Sequence, residues 1–326
     1  RLYYAMGLPI VPDEAYYWAW SRNLDLAYYD QGPGIAYYIR LFTELFGHTQ
    51  LALKLAATVA AFLATLFILL TVRLLEKRTL VLWWVLILMT FIPGFFGGSV
   101  VIMHDSLLLL AWCASLYAVT RFLLFRTASS LLALFLATGI GLTAKHTMVF
   151  LALSWIVLLL YQRRAFLDFL KRPAAYLGLA LCLLFVLPML AWNFANGWAS
   201  IEAITHLRSS GGRFAEGAVS EFLGGQLLMF SPGFVLALGT AAIFKLRKGN
   251  RQRFFSRDFY ASDDLSARRL LVLQFLALTV ALPGTFFLFM SLGRTVQPNW
   301  VFPAYPGAIL LLALYNPAGG KEPLPV

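Results

Sequence analysis

Two adjacent carboxylates, Asp13 and Glu14, open an aromatic run that continues through Tyr17 and Trp18. A carboxylate outside an apolar segment can remove a proton from a hydroxyl group, which is the role of a general base. The same acids after Pro12 also suit the first turn of a helix, where a carboxylate accepts free backbone N–H groups. The two roles are compatible, because a helix N-terminus would hold Asp13 rigidly. We therefore treat Asp13 and Glu14 as catalytic candidates.

Two further acids lie at the edges of apolar segments. Asp30 opens the turn-like stretch Asp30–Gly34, and Asp105 precedes the apolar run 106–125. Each has a purely structural alternative, since Asp30 could belong to a connector and Asp105 could cap a helix. An acid at a membrane boundary is nevertheless a functional candidate, so Asp105 joins the catalytic group. Four further residues are expected to contact an acceptor substrate or to support the loop that carries these acids, namely Asp30, Tyr17, Asn193 and Trp198.

Lys145 is the first candidate for binding a phosphate. A single helix over 129–161 would be about 50 Å long, whereas the hydrocarbon core of a bilayer is about 30 Å thick. The chain is therefore predicted to turn at Lys145-His146 between two short helices, which leaves Lys145 recessed below the outer surface. A recessed cation is costly unless it meets an anion, and the phosphate of a lipid would supply one. His206 and Arg208, on the same predicted face, are further candidates.

The composition places these residues in a membrane protein. The chain has 326 residues, of which 60% are hydrophobic and 13% charged, and its mean hydropathy is +0.76. The hydrophobic fraction and the mean hydropathy exceed those of soluble domains, and the charged fraction is below theirs. The net charge of +11 does not indicate nucleic-acid binding, because the basic residues form short clusters between apolar runs, as in cytoplasmic loops.

The apolar runs predict an all-α bundle of nine membrane spans. They lie near 51–72, 79–98, 106–125, 130–144, 147–161, 174–192, 223–244, 270–291 and 301–315. Residues 1–50 are too polar to span, and they are expected to form interfacial amphipathic helices in a first outer loop. Residues 51–315 would form the bundle and 316–326 a tail. We expect the chain to be a fragment that lacks a first membrane helix and a C-terminal part.

The sequence identifies no cofactor. It has no Walker loop, no dinucleotide fingerprint, no nucleophile elbow and no clustered Cys/His spacing. Cys113 and Cys182 lie inside apolar runs and are expected to be core residues. The sequence does not decide whether a divalent metal binds. Its ligands would come from acids and an imidazole on the predicted outer face, namely Asp13, Glu14, Asp105 and His206.

Several motifs resemble those of the bacterial glycosyltransferase family 39, which includes relatives of the protein O-mannosyltransferases and of lipid A aminoarabinose transferase. The first is Asp13-Glu-Ala-Tyr-Tyr-Trp18, followed by Leu24-Asp-Leu-Ala-Tyr-Tyr-Asp30-Gln-Gly-Pro33. The others, in chain order, are His104-Asp105-Ser106, Gly141-Leu-Thr-Ala-Lys145, Trp192-Asn193 with Gly197-Trp198, and Gln297-Pro298-Asn299-Trp300. Together they extend over nearly the whole chain.

The resemblance implies a GT-C membrane fold in the bacterial cytoplasmic (inner) membrane. It implies transfer of a sugar from a polyprenyl-phosphate carrier, at the extracytoplasmic face, to a lipid such as lipid A, a polysaccharide or a protein. The first-loop acid of the family, its usual candidate for the base, corresponds to Asp13. One departure is that Gln31-Gly32-Pro33 follows Asp30, where the family commonly has a basic residue and two prolines.

The expected reaction is an inverting direct displacement, in which Asp13 is the base and Lys145 and Arg208 stabilise the departing lipid phosphate. Glu14 and Asp105 would position the acceptor or a metal. The alternative is a transporter or lipid flippase, in which charges within the membrane mark a permeation route. The acids of this chain cluster at one face and no internal symmetry is visible, which favours the transferase. A noncatalytic scaffold would leave Lys145 unexplained.

Overall fold

The computed structural model describes residues 1–202, 217–247 and 265–314, and these residues form helices and no strand. The helices of the first half are α1 (Leu2–Met6), α2 (Pro12–Arg22), α3 (Gly34–Phe46), α4 (Gln50–Leu75), α5 (Thr79–Phe91), α6 (Pro93–Gly97), α7 (His104–Phe125) and α8 (Ala128–Ala144). Those of the second half are α9 (Val149–Tyr161), α10 (Arg163–Leu170), α11 (Pro173–Ala195), α12 (Ala218–Phe230), α13 (Pro232–Arg247), α14 (Leu265–Ser291) and α15 (Ala304–Ala313).

Every apolar run predicted from the sequence contains a helix, but the helices differ in length. In the described part of the chain, α4, α7, α11 and α14 are each long and apolar enough to cross a membrane. Two bent pairs, one of α9 with α10 and one of α12 with α13, raise this number to six if each pair is one span. The runs 79–98 and 223–244 are interrupted at Pro93 and Pro232, because a proline disfavours helix at the residue before it.

The predicted break at Lys145-His146 is confirmed. Helix α8 ends at Ala144, Lys145 has an extended backbone, and a short 3₁₀ turn over His146–Met148 leads into α9. Glycines let α8 lie close to α11, since a Cβ on Gly139 would be 3.2 Å from Cys182 Cα and one on Gly178 would be 2.4 Å from the Phe135 ring. Small residues at such contacts are typical of helices packed within a membrane.

Helix α7 is the centre of the bundle, where it packs against α4, α8 and α14. Its middle is buried, and Trp112 and Phe122 are among the largest fully buried side chains. The buried face of α4 includes a stripe of alanines four residues apart, at Ala52, Ala56, Ala60 and Ala64. This stripe allows the backbones to approach closely. The N-terminus of α7, which carries Asp105, is therefore held in a rigid surrounding.

The first 50 residues dock on the same end of the bundle. Helix α2 packs on α3, and α3 packs on α4, α7 and α8. The buried face of α3 carries Ile35, Ile39 and Phe42, spaced as in an amphipathic helix, and the Tyr38 hydroxyl donates to the carbonyl of Ala56 at 3.1 Å. Helices are thus present where the sequence predicts them. Their place at the membrane interface stays a prediction.

Candidate functional site

An ion pair between Asp105 and Lys145 joins the start of α7 to the break after α8. Lys145 Nζ donates to Asp105 Oδ1 at 2.7 Å, and Asp105 and Lys145 are 4% and 5% exposed, respectively. The hydrogen bonds recorded for the Asp105 carboxylate are to side chains, so the structure favours a paired site residue over a helix cap. The cation that the sequence predicts to be recessed is therefore buried in the structure, and its partner is Asp105.

Two residues that were not site candidates in the sequence analysis contact the Asp105 carboxylate. Asn299 Nδ2, from a 3₁₀ turn over Pro298–Val301, donates to Asp105 Oδ2 at 3.0 Å. His104 Nε2 lies 3.4 Å from the same oxygen. The motif around Asn299 was visible in the sequence, and His104 adjoins Asp105. The sequence carried no signal that either residue contacts the carboxylate, because Asn299 lies 194 positions away.

Tyr17 connects the first outer segment to this cluster. Its side chain is buried, its hydroxyl shares a hydrogen bond with His104 Nδ1, and the two rings meet edge to face. Burial raises the pKa of Tyr17 far above its ordinary value, and the negative charges of Asp30, Asp13 and Asp105 raise it further. The phenol therefore stays protonated at physiological pH. Three carboxylates named from the sequence thus lie within electrostatic range of one hydroxyl.

Asp13 and Asp30 occupy the open side of the cluster. Asp13 is exposed at the first turn of α2, and no hydrogen bond or ion pair is recorded for its side chain in the described chain. Asp30 is half-buried and accepts from the Tyr16 hydroxyl at 3.3 Å. Burial raises the pKa of Asp30, while its own backbone N–H, Tyr16 and the positive charge of His146 oppose that rise. Asp13 is therefore the acid with free lone pairs.

Glu14 points the opposite way. It is fully buried, and its carboxylate accepts from Lys54 Nζ at 2.7 and 2.9 Å, from the Ile102 N–H at 3.2 Å and from the Val11 N–H at 3.1 Å. The last contact is half of a capping box for α2. Both carboxylate oxygens of Glu14 accept hydrogen bonds within the protein. These contacts favour a structural role, in which Glu14 holds α2 in place, and not a catalytic role.

Two glycines near Asp30 let the loop before α3 pack against the C-terminal end of α8. One of them, Gly32, lies where the sequence departs from the family pattern. A Cβ on Gly32 would lie 2.2 Å from the Thr143 carbonyl oxygen, and one on Gly34 would lie 2.4 Å from Thr143 Oγ1. A larger residue at either position would displace the backbone two residues before Lys145. The glycine at position 32 therefore has a packing reason in this chain.

The C-terminal end of α11 supports the same loop. Asn193 Oδ1 accepts the Ser200 N–H at 3.1 Å, and Ser200 Oγ donates to the Tyr28 carbonyl at 3.0 Å. Trp192 Nε1 donates to Asp25 Oδ2 at 2.9 Å, whereas Trp198 is 44% exposed. The roles of Asn193 and Trp198 in binding an acceptor stay predictions. The phosphate-binding candidates His206 and Arg208 lie outside the described residues.

An apolar cleft of about 460 Å³ adjoins the cluster. Its walls come from the loop before α3 and from α3, α7, α8 and α11, and they include Pro33, Leu107, Thr143 and Pro188. Two of the lining residues are close in sequence to the ion pair, since Leu107 is two residues from Asp105 and Thr143 is two residues from Lys145. Within the described ranges, no three His, Cys, Asp or Glu side chains are grouped so as to hold a metal ion.

Comparisons with known proteins agree with this architecture. A family model described as dolichyl-phosphate-mannose-protein mannosyltransferase matches residues 30–192. The chain is 27% identical over 321 residues to lipid A galacturonosyltransferase RgtD from Rhizobium johnstonii, an alignment that covers 94% of this chain and 61% of RgtD. That relative is named for a lipid A acceptor, and this chain spans less than two thirds of its length.

Two crystal structures of ArnT from Cupriavidus metallidurans share the fold. The form bound to undecaprenyl phosphate has a TM-score of 0.67 at 19% identity, and covers 94% of this chain and 56% of ArnT. The apo form has a TM-score of 0.64 at 18% identity, and covers 94% of this chain and 55% of ArnT. The all-helical GT-C-type membrane fold predicted from the sequence is thereby confirmed.

Proposed function

Because the chain belongs to the dolichyl-phosphate-mannose-protein mannosyltransferase family, we propose that it transfers a sugar from a polyprenyl-phosphate carrier to a lipid A-type glycolipid. The observation that carries this proposal is the cluster around Tyr17, which combines Asp13 and Asp30 with the buried Asp105–Lys145 pair. The undecaprenyl phosphate bound to ArnT and the acceptor named for RgtD support the two substrate classes. Polysaccharide and protein acceptors stay predictions.

Asp13 would be the general base, since it is exposed and no partner occupies its oxygens in the described structure. It removes the proton of an acceptor hydroxyl, whose oxygen then forms a bond to the anomeric carbon of the donor sugar. The bond between that carbon and the phosphate oxygen breaks, and the electron pair leaves with the lipid phosphate. A single displacement of this kind inverts the anomeric configuration.

Lys145 would stabilise the leaving phosphate. An ammonium group has three N–H donors, and the structure records Asp105 as the acceptor of one of them. Up to two donors are then available for phosphate oxygens, and their attraction is strong in a site with little water. Asp105 balances the charge of Lys145 before the donor arrives, and Asn299 and His104 orient that carboxylate.

The carrier's isoprenoid tail would lie in the apolar cleft beside Thr143. Burial of an apolar chain there contributes affinity in proportion to the area removed from water. With the phosphate at Lys145 and the sugar towards Asp13, the reaction would take place on the periplasmic side of the inner membrane. The predicted outer position of residues 1–50 supports this orientation.

The test is a transfer assay on membranes that contain the full-length protein. Radiolabelled polyprenyl-phosphate sugars are supplied, and label is counted separately in lipid A, other lipid, polysaccharide and protein fractions. Asp13→Asn should lower transfer by about 10²- to 10⁴-fold. The control Glu44→Gln, which removes an exposed carboxylate from the same segment of residues 1–50, should transfer normally. Near-normal turnover by Asp13→Asn would contradict the assignment of the base. Label in no fraction with any donor would favour the transporter.

A further inference from the structure

Four residues of α2 form one line along the helix. They begin at Asp13 and continue three, four and seven positions later with Tyr16, Tyr17 and Trp20. This spacing places the four side chains on a common face of the helix. Tyr17 is buried against His104, and Trp20 is half-buried, but Tyr16 is 44% exposed. The open aromatic ring of this line is thus one helical turn from the proposed base.

The Tyr16 ring is held in place on two sides. Its hydroxyl donates to Asp30 Oδ1 at 3.3 Å, and its ring packs on Trp20 with a centroid distance of 4.8 Å. Trp20 in turn stacks on Tyr28 at 4.0 Å with an interplanar angle of 7°. Exposed aromatic residues at a membrane interface are common and need no ligand. This one differs because its hydroxyl and its ring are both fixed beside two carboxylates.

We propose that Tyr16, supported by Trp20, is the platform on which a sugar ring of the acceptor glycolipid stacks. This inference rests on the proposed function and adds the position of the acceptor to it. The C–H face of a pyranose is apolar and fits an aromatic ring, while carboxylates accept hydrogen bonds from the sugar hydroxyl groups. A sugar on Tyr16 would present a hydroxyl to Asp13, whose proton is removed in the reaction.

The charge of the surroundings sets the class of that sugar. Asp30 contacts the Tyr16 hydroxyl and Asp13 is one helical turn from Tyr16, and like charges in close contact repel each other. The stacked ring should therefore be a neutral or amine-bearing sugar, and any phosphate or carboxylate of the acceptor should lie away from this contact. A glucosamine ring of a lipid A-type molecule has the required chemistry.

The test compares Tyr16→Ala, Tyr16→Phe and Tyr29→Ala in the full-length protein. Tyr29 is 52% exposed in the same outer segment and is the matched control. With lipid A in mixed micelles as the acceptor, Tyr16→Ala should raise the KM for lipid A about five- to tenfold, as expected for the loss of one aromatic contact. The KM for the polyprenyl-phosphate sugar should stay unchanged. Tyr16→Phe keeps the ring and should stay within about twofold, and Tyr29→Ala should match wild type.

An unchanged KM for lipid A in Tyr16→Ala, or an equal rise in the KM for the donor, would overturn the proposal. Equilibrium binding of lipid A micelles, followed by tryptophan fluorescence, separates this inference from the proposed function. Weaker binding by Tyr16→Ala than by wild type supports the platform even if no sugar is transferred. Equal binding by both proteins, or no binding by wild type, overturns the platform even if transfer occurs.

Discussion

Replacing Glu14 with Gln tests whether this acid holds the structure or takes part in catalysis. Glu14 and Lys54 are both fully buried, and the structure records no other partner for the Lys54 ammonium in the described chain. A glutamine keeps the shape of the side chain but removes its charge. Its amide nitrogen also cannot accept, so either the Val11 N–H or the Ile102 N–H loses its acceptor.

The expected loss of stability is large. Removing one partner of a buried ion pair costs about 3–5 kcal/mol, because the remaining charge is left uncompensated in a medium of low dielectric. The unpaired backbone N–H places Glu14→Gln towards the upper end of that range. Lys54→Met should cost less, since the Glu14 carboxylate keeps both backbone donors. Combining Glu14→Gln with Lys54→Met should restore at least half of the loss, because the buried cation is then gone.

Reversible unfolding in mixed micelles, titrated with SDS and followed by tryptophan fluorescence, measures these differences. The matched control is Glu44→Gln, which breaks the exposed Arg40–Glu44 pair one turn apart on α3 and should cost at most about 0.5 kcal/mol. A loss below about 1 kcal/mol for Glu14→Gln would refute the reasoning from burial. Such a variant with little transfer activity would instead support the catalytic role predicted from the sequence.

Two further predictions concern the first loop. Gly32→Ala should place a Cβ against the Thr143 carbonyl and lower the free energy of unfolding by about 1–3 kcal/mol. It should also reduce transfer, because it shifts the turn that carries Lys145. The control Gly224→Ala, which has open space around it, should be neutral in the same melting and transfer assays. Burial raises the pKa of Asp30, so its contribution to stability is full below its ordinary value of 3.8 and is lost as pH rises through the folded pKa. Asp30→Asn should therefore melt at the wild-type temperature at the lowest pH and above it at neutral pH, and a gap that narrows with rising pH would contradict this sign.

The fold was predictable where length and hydropathy decide the outcome. The break at Lys145 followed from comparing one apolar stretch with the thickness of a bilayer, and the structure confirms it. The broken spans were harder, because hydropathy averages over a window and does not register a change of direction. The helix ends before Pro93 and before Pro232 while the apolar run continues, so a prediction of continuous spans misses both breaks.

The site was predictable as a set of residues and less so as a set of contacts. Asp13 and Glu14 are both carboxylates and look equivalent in the sequence, but the side chains of adjacent residues on a helix point about 100° apart. One therefore faces outwards and the other is buried on Lys54. The contact of Asn299 with Asp105 depends on packing between segments 194 positions apart, so no local pattern encodes it. Charge and chemistry selected the candidates, and only tertiary packing assigned their partners.

The spacing of the buried charge pairs has a consequence for biosynthesis. Glu14 meets Lys54, and Asp105 meets Lys145, each across 40 residues, so each acid is synthesised shortly before the cation that neutralises it. Asn299 reaches Asp105 only after a further large part of the chain has been made. Because folding proceeds from the N-terminus during synthesis, we expect each buried charge to be neutralised early and the contact of Asn299 with Asp105 to form last.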